Sequence, residues 1–196
     1  MDIINSNTFL AIILGVGLSA ACGFRIFVPL LAISIAAKCG HVNLASGFAW
    51  MSSWTAIIAF STATIFEILA FYIPWFDNIM DAIATPAAIV AGTVLTSSLI
   101  TDISPFLKWT LAVIAGGGTA GIIQSGTVAA RGASTVLTGG LGNFIVSTIE
   151  LIGSLITTAL AIFLPVICIF IIFIFIFLAL ATIIRGNMKK RQKIAL

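Results

Sequence analysis

Charge is what this chain has least of. Only 8% of its residues are Asp, Glu, Lys or Arg, while 61% are hydrophobic and the mean hydropathy is +1.26. A soluble domain carries roughly 25% charged residues. No water-soluble fold covers so much apolar surface, so the soluble classes are excluded and the chain is read as an all-α, polytopic membrane protein. Histidine is scarcer still, with His41 standing alone. That rules out an HExxH zinc site, and no GxSxG stretch or dense Asp/Glu cluster offers another catalytic set. Cys22, Cys39 and Cys168 are the only cysteines. They form neither a CxxC pair nor a zinc spacing, so no disulfide framework and no metal site is expected. The Cys39–Gly–His41 triplet is read as exposed loop rather than as a ligand set. The expectation is a non-enzyme without cofactor. The opening MDIINSN lacks a basic n-region, so the first apolar run is expected to stay as a membrane segment.

The length, 196 residues, allows roughly six to eight segments at ~20 residues per span. About six transmembrane helices in one integral membrane domain, 1–196, are expected. The few charges are unevenly placed. Arg185, Lys189, Lys190, Arg191 and Lys193 crowd the C-terminus, which puts that tail in the cytoplasm by the positive-inside rule. Topogenesis and contact with anionic membrane lipids account for it; nucleic acid is not an expected partner.

The first apolar run, Thr8 to Ala37, would span about 45 Å as one helix, against a hydrocarbon core of roughly 30 Å. Gly15, Gly17, Gly23 and Pro29 favour a break, with two half-helices or a re-entrant hairpin meeting near Cys22–Arg25. Lys38 to Ser53 is a connection, with Trp50 and Trp54 as an interfacial belt. Trp54 to Ile73 is a span carrying Glu67, ended by Pro74. PWFDNIMDAIATP is expected to lie at the interface as an amphipathic segment. Its Asp77 and Asp81, spaced i, i+4, form either an interfacial cation or proton site or a solvated face. Ala87 to Thr101 is a further span. Phe106 to Ile123 follows, anchored by Lys108 and Trp109, and its AGGGTAGIIQSG permits close packing or unwound backbone. From Phe144 to Ile184 a single helix would be roughly 60 Å long, so a turn is expected at Leu164–Pro165. The last segment reads as a lipid-facing wall.

The functional centre is placed at Arg131 to Leu155, RGASTVLTGGLGNFIVSTIELIGSL. An ionised side chain at the bilayer centre costs at least ~2.5–3.5 kcal/mol, so such groups pair or line a cavity. Arg25 and Arg131, with Thr138, Gly139, Gly140 and Asn143, are the candidate substrate-binding residues. Glu67 and Glu150 are the candidate coupling or ion-pair residues. TIFEILA around Glu67 resembles STIELIG around Glu150, and LSAACGFRIF loosely resembles GTVAARGAST. Two inverted repeats, 8–101 and 105–185, would account for both likenesses.

Three stretches, GLSAACGFRIFVPLLAISIAAK, PWFDNIMDAIATPAAIVAGTVL and the RGASTVLTGGLGNFIVSTIELIGSL just quoted, resemble a family of small prokaryotic integral membrane proteins catalogued only as a domain of unknown function. TGGLGN followed by a helix with a central acidic residue is the most specific part. The resemblance implies a multi-pass protein of a prokaryotic inner membrane and transfers no mechanism. It also implies an acidic pair where this chain has Glu150–Leu151, which would make the second carboxylate dispensable.

On the residues themselves, a transporter or channel for a small anionic solute or a lipid phosphate is expected. A helix break bares N–H groups and the positive end of a dipole, and arginine beside it completes an anion site. Glutamate would neutralise the arginines when the site is empty. The alternative is a non-transporting scaffold or assembly protein in which Arg–Glu pairs merely lock the bundle. A homodimer is compatible with so short a chain, although no defined dimer motif is present.

Overall fold

The computed structural model describes residues 6–73, 76–101 and 103–194, without the side chains of 76–78, 179–180 and 182–194. The described residues are helical throughout, with no strand among them. The helices are α1 (Ser6–Cys22), α2 (Phe27–Lys38), α3 (Trp54–Phe71), α4 (Phe76–Leu99), α5 (Pro105–Leu111), α6 (Gly118–Thr138), α7 (Asn143–Phe163) and α8 (Pro165–Ile194), with a short 3₁₀ turn at Ser46–Ser52. Four stretches are long and apolar enough to cross a membrane: Trp54–Phe71, Ile79–Leu99, Pro105–Thr138 and Asn143–Phe163. Ser6–Cys22, Phe27–Lys38 and Pro165–Leu178 are shorter apolar helices. The chain is therefore a membrane protein built of apolar helices.

The first apolar run is broken where expected. Helix α1 stops at Cys22, and the chain turns through Gly23–Ile26 before α2 begins. Glycine is needed at the turn because a Cβ on Gly23 would lie 2.5 Å from the Ile123 side chain and 2.7 Å from the Ala120 carbonyl of α6. Helix α1 is the hub of the bundle and runs antiparallel to α4. Gly15 faces Thr96, and one turn further on Ser19 Oγ donates to Gly92 O at 2.7 Å and meets Thr96 Oγ1 at 2.9 Å. Beyond α2 the chain returns to the end of α4 from which α1 sets out, since Ala45 N–H donates to Ser98 O at 2.7 Å. The same end carries the aromatic and lysine belt. Lys38 Nζ lies 5.1 Å from the Trp54 ring centre and Lys108 Nζ 5.2 Å from that of Phe48.

One expectation needs correction, and a second resolves between its alternatives. The segment around Asp81 is not a separate interfacial helix followed by a span from Ala87. Helix α4 runs unbroken from Phe76 to Leu99 with Pro86 inside it. A proline removes one ladder hydrogen bond and crowds the preceding turn. Here Ala84 and Ala88 on either side are buried in the core, and that packing holds the helix together. Of the two readings of the glycine-rich AGGGTAG, close packing holds and unwound backbone does not. Helix α5 continues through a π-helical segment, Ala112–Gly117, directly into α6. A Cβ on Gly116 would lie 2.3 Å from Thr96 Oγ1 and 2.6 Å from Gly92 O, so the glycines bring two helix backbones together.

Helix α6 ends at a tight turn. Gly139 and Gly140 hold φ of 64° and 94°, a left-handed conformation that side chains strain. As expected, Leu164 separates α7 from α8. Much of α8 faces outward, with Phe170, Phe173 and Phe177 about 70% exposed, while Cys168 and Ile172 turn into the core.

Candidate functional site

Helix α7 is polar on its inner face and apolar on its outer one. Asn143, Ser147, Glu150, Ser154 and Thr158 are buried at helical spacing, whereas Phe144, Ile145, Ile149, Ile152 and Ile156 are exposed. A helix surrounded by hydrocarbon turns its polar stripe inward, where other helices satisfy it. Ser147 Oγ donates to Phe71 O at 3.3 Å, Ser154 Oγ to Ala21 O at 3.2 Å, and Asn143 Nδ2 to Thr135 Oγ1 at 2.9 Å. The stripe ties α7 to α3, α1 and α6 in turn.

At the centre of that stripe one carboxylate joins two arginines. Arg131 Nε donates to Glu150 Oε1 at 3.0 Å while Arg131 Nη2 meets Glu150 Oε2, a two-pronged pairing that the planar guanidinium favours. Arg25 Nη2 lies 3.5 Å from the same Oε2 and donates to the Ser147 carbonyl at 3.0 Å. Arg131 Nη1 is 3.5 Å from Asp81 Oδ1 on α4. Arg25, Arg131 and Glu150 are at most 3% exposed. A buried guanidinium needs partners for all five of its N–H groups. Arg25 Nε and Nη1 have no hydrogen-bond partner.

The chain belongs to the family described as a domain of unknown function, DUF4126, which matches residues 12–185. No curated protein and no solved structure matches the chain.

The other glutamate of this DUF4126 chain does something else. Glu67 Oε1 accepts from Ile26 N–H at 2.7 Å and Oε2 from Phe27 N–H at 3.1 Å. Its carboxylate covers the start of α2, where the first N–H groups have no partner in the helix and the dipole is positive. The expectation that the break bares those groups for an anion is therefore corrected: Glu67 already occupies them. The second departure concerns Arg131. It lies beside no break, because α6 is continuous through it to Thr138.

Thr138, Gly139, Gly140 and Asn143 form the turn between α6 and α7, about two helical turns (~10 Å) beyond Arg131 by helix rise. Thr138 Oγ1 accepts from Gly142 N–H at 2.8 Å, so its hydroxyl serves the turn. The Asp81 side chain is 13% exposed, and its Oδ1 faces Arg131. The Asp77 side chain lies outside the described residues.

Phe71, the last residue of α3, was not among the sequence candidates. The guanidinium carbons of Arg25 and Arg131 lie 4.1 Å and 3.9 Å from its ring centre. The negative ring face attracts both cations where water is excluded and offsets part of their mutual repulsion. Tyr72 OH lies 2.8 Å from Thr148 Oγ1, which fixes the end of α3 against α7. The 3.6-residue spacing of Asn143, Ser147, Glu150, Ser154 and Thr158 is the signal that would have revealed the inward face of α7. Nothing in the sequence around Phe71 sets it apart from the other phenylalanines.

Beside the charge cluster, between α6, α7 and α8, lies a cavity of about 410 Å³, within the range of small-molecule sites. Glu150 is its one charged lining residue, and Phe24 of the break closes one side.

Proposed function

We propose that this chain is a membrane transporter or channel for a small anionic or phosphate-bearing solute or lipid, with Arg25, Arg131 and Glu150 as its binding and exchange centre. The observation that carries this reading is one carboxylate shared by two buried guanidinium groups, one of which keeps two N–H-bearing nitrogens without a hydrogen-bond partner. Two arginines against Glu150 and Asp81 make a balanced resting set. An arriving anion takes the place of Glu150 on the guanidinium groups, and the displaced carboxylate takes up a proton from water, which it releases to water again before it re-pairs with the arginines. The anion then exits as the carboxylate returns.

In this reading α1 and α2 form a re-entrant pair whose tip carries Arg25 into the protein, with Glu67 fixing the tip. Helix α8 leads from the α7 turn at Leu164 to the level of Glu150, where Phe175 and Ile176 share the cavity with it. The basic tail follows. If that tail lies in the cytoplasm of a prokaryotic inner membrane, the exchange centre sits in the cytoplasmic half of the protein.

The scaffold reading draws on one observation: Glu67 and the Ser147 carbonyl join separate helices by hydrogen bonds. Flux separates the two. In proteoliposomes loaded with inorganic phosphate, the wild-type chain is expected to exchange the anion and Glu150→Gln, which keeps the shape of the side chain, to lose exchange. Unchanged exchange in Glu150→Gln and in Arg131→Ala overturns the assigned roles.

A further inference from the structure

We infer that the cavity between α6, α7 and α8 seats the hydrocarbon chain of an anionic amphiphile whose phosphate or carboxylate head reaches the two arginines. This deepens the transport reading and rests on it for the head-group site. The cavity pattern matches such a molecule end to end. Ile122, Ile123, Val146, Ile149, Phe175 and Ile176 make apolar walls, and the single ionised group is Glu150, the residue that an incoming anion would replace. Behind Glu150 stand Arg131 and Arg25, and Arg25 Nε and Nη1 are buried donors without an acceptor. Buried donors of that kind are matched by an anion with several oxygens. A free inorganic anion would satisfy the arginines yet leave the apolar space beside them unused.

Gly126 gives a place to block the cavity. It lines the cavity from α6, and a Cβ built on it meets no atom within 4 Å. Most core-facing glycines here, such as Gly23, Gly92 and Gly116, are pressed against neighbouring atoms. Gly126 is exposed at the mouth of the cavity instead, so a large side chain there covers part of its apolar lining without pushing on the fold.

The test uses the full chain in nanodiscs of uncharged lipid and four probes: inorganic phosphate, octyl phosphate, dodecyl phosphate and dodecanol. Equilibrium binding is measured for the wild type and Gly126→Phe, with the melting temperature of each as a check on folding. After subtraction of the binding to empty nanodiscs, dodecyl phosphate is expected to bind the protein tighter than octyl phosphate. Gly126→Phe should weaken dodecyl phosphate at least tenfold, leave inorganic phosphate unchanged and melt no lower than the wild type. Equal binding of dodecyl phosphate to both proteins, or dodecanol binding as tightly as dodecyl phosphate, overturns the inference. Binding of inorganic phosphate alone also overturns it and leaves anion exchange standing. Dodecyl phosphate binding that Gly126→Phe abolishes, with no exchange in proteoliposomes, upholds the chain site and overturns transport.

Discussion

Glu67 and Glu150 occupy similar stretches, TIFEILA and STIELIG, each inside an apolar helix and each buried. Their partners differ. Glu67 holds two backbone N–H groups at the start of α2, and Glu150 holds two arginine side chains. A carboxylate on a helix N-terminus is held by groups that cannot leave without unwinding the helix. A carboxylate on guanidinium groups is held by side chains that can trade it for another anion. The first carboxylate is therefore fixed by backbone and the second by side chains, and the proposed exchange calls on the second alone, although the two local sequences look alike.

The comparison is broken most severely at Glu150. Glu150→Ala leaves two buried guanidinium groups without their shared carboxylate and is expected to cost ~3–5 kcal/mol, read as a lowered midpoint in chemical denaturation. Glu150→Gln removes the same charge but leaves no space behind, so it should cost less than Glu150→Ala while still lowering the midpoint, and it should lose anion exchange. At Glu67 the effects should invert. Glu67→Ala uncovers two N–H groups and is expected to cost about 2 kcal/mol, and Glu67→Gln about 1 kcal/mol or less. Protein that remains folded should still exchange anions, and loss of exchange in well-folded Glu67→Gln would erase the distinction. Phe71→Leu keeps the apolar volume and removes the ring face from both arginines. A loss of about 1 kcal/mol and a weaker affinity for phosphate are expected by thermal melting and equilibrium binding. Asp81→Asn should have the smallest effect of the charge changes, about 1 kcal/mol or less, because its carboxylate lies 3.5 Å from Arg131 without the two-pronged pairing that Glu150 makes.

The same contrast shows what could be foreseen from residues alone. The pairing of Arg131 with Glu150 was legible because opposite charges in an apolar chain seek each other. The break at Gly23–Ile26 and the turn at Leu164 were legible because the apolar runs exceed the thickness of a membrane. The partner of Glu67 was not, because a backbone N–H group leaves no mark in the sequence. Pro86 misled for a related reason. Its local preference is to end a helix, and the packing of Ala84 and Ala88 outweighs the single hydrogen bond it removes. Phe71 and Asp81 join the cluster from α3 and α4, and only the course of those helices brings them there.

By itself the sequence determined the solvent this chain lives in, the places where its helices must stop, and that its rare charges would be buried against one another. Those follow from composition, helix rise and the cost of an ion in hydrocarbon, all of which are local or additive. The tertiary structure decided which carboxylate faces arginine and which caps a helix, and that an apolar cavity opens beside the first. Those depend on which helix lies opposite, and hydrogen bonds and packing across helices carry no signature in the residues next door.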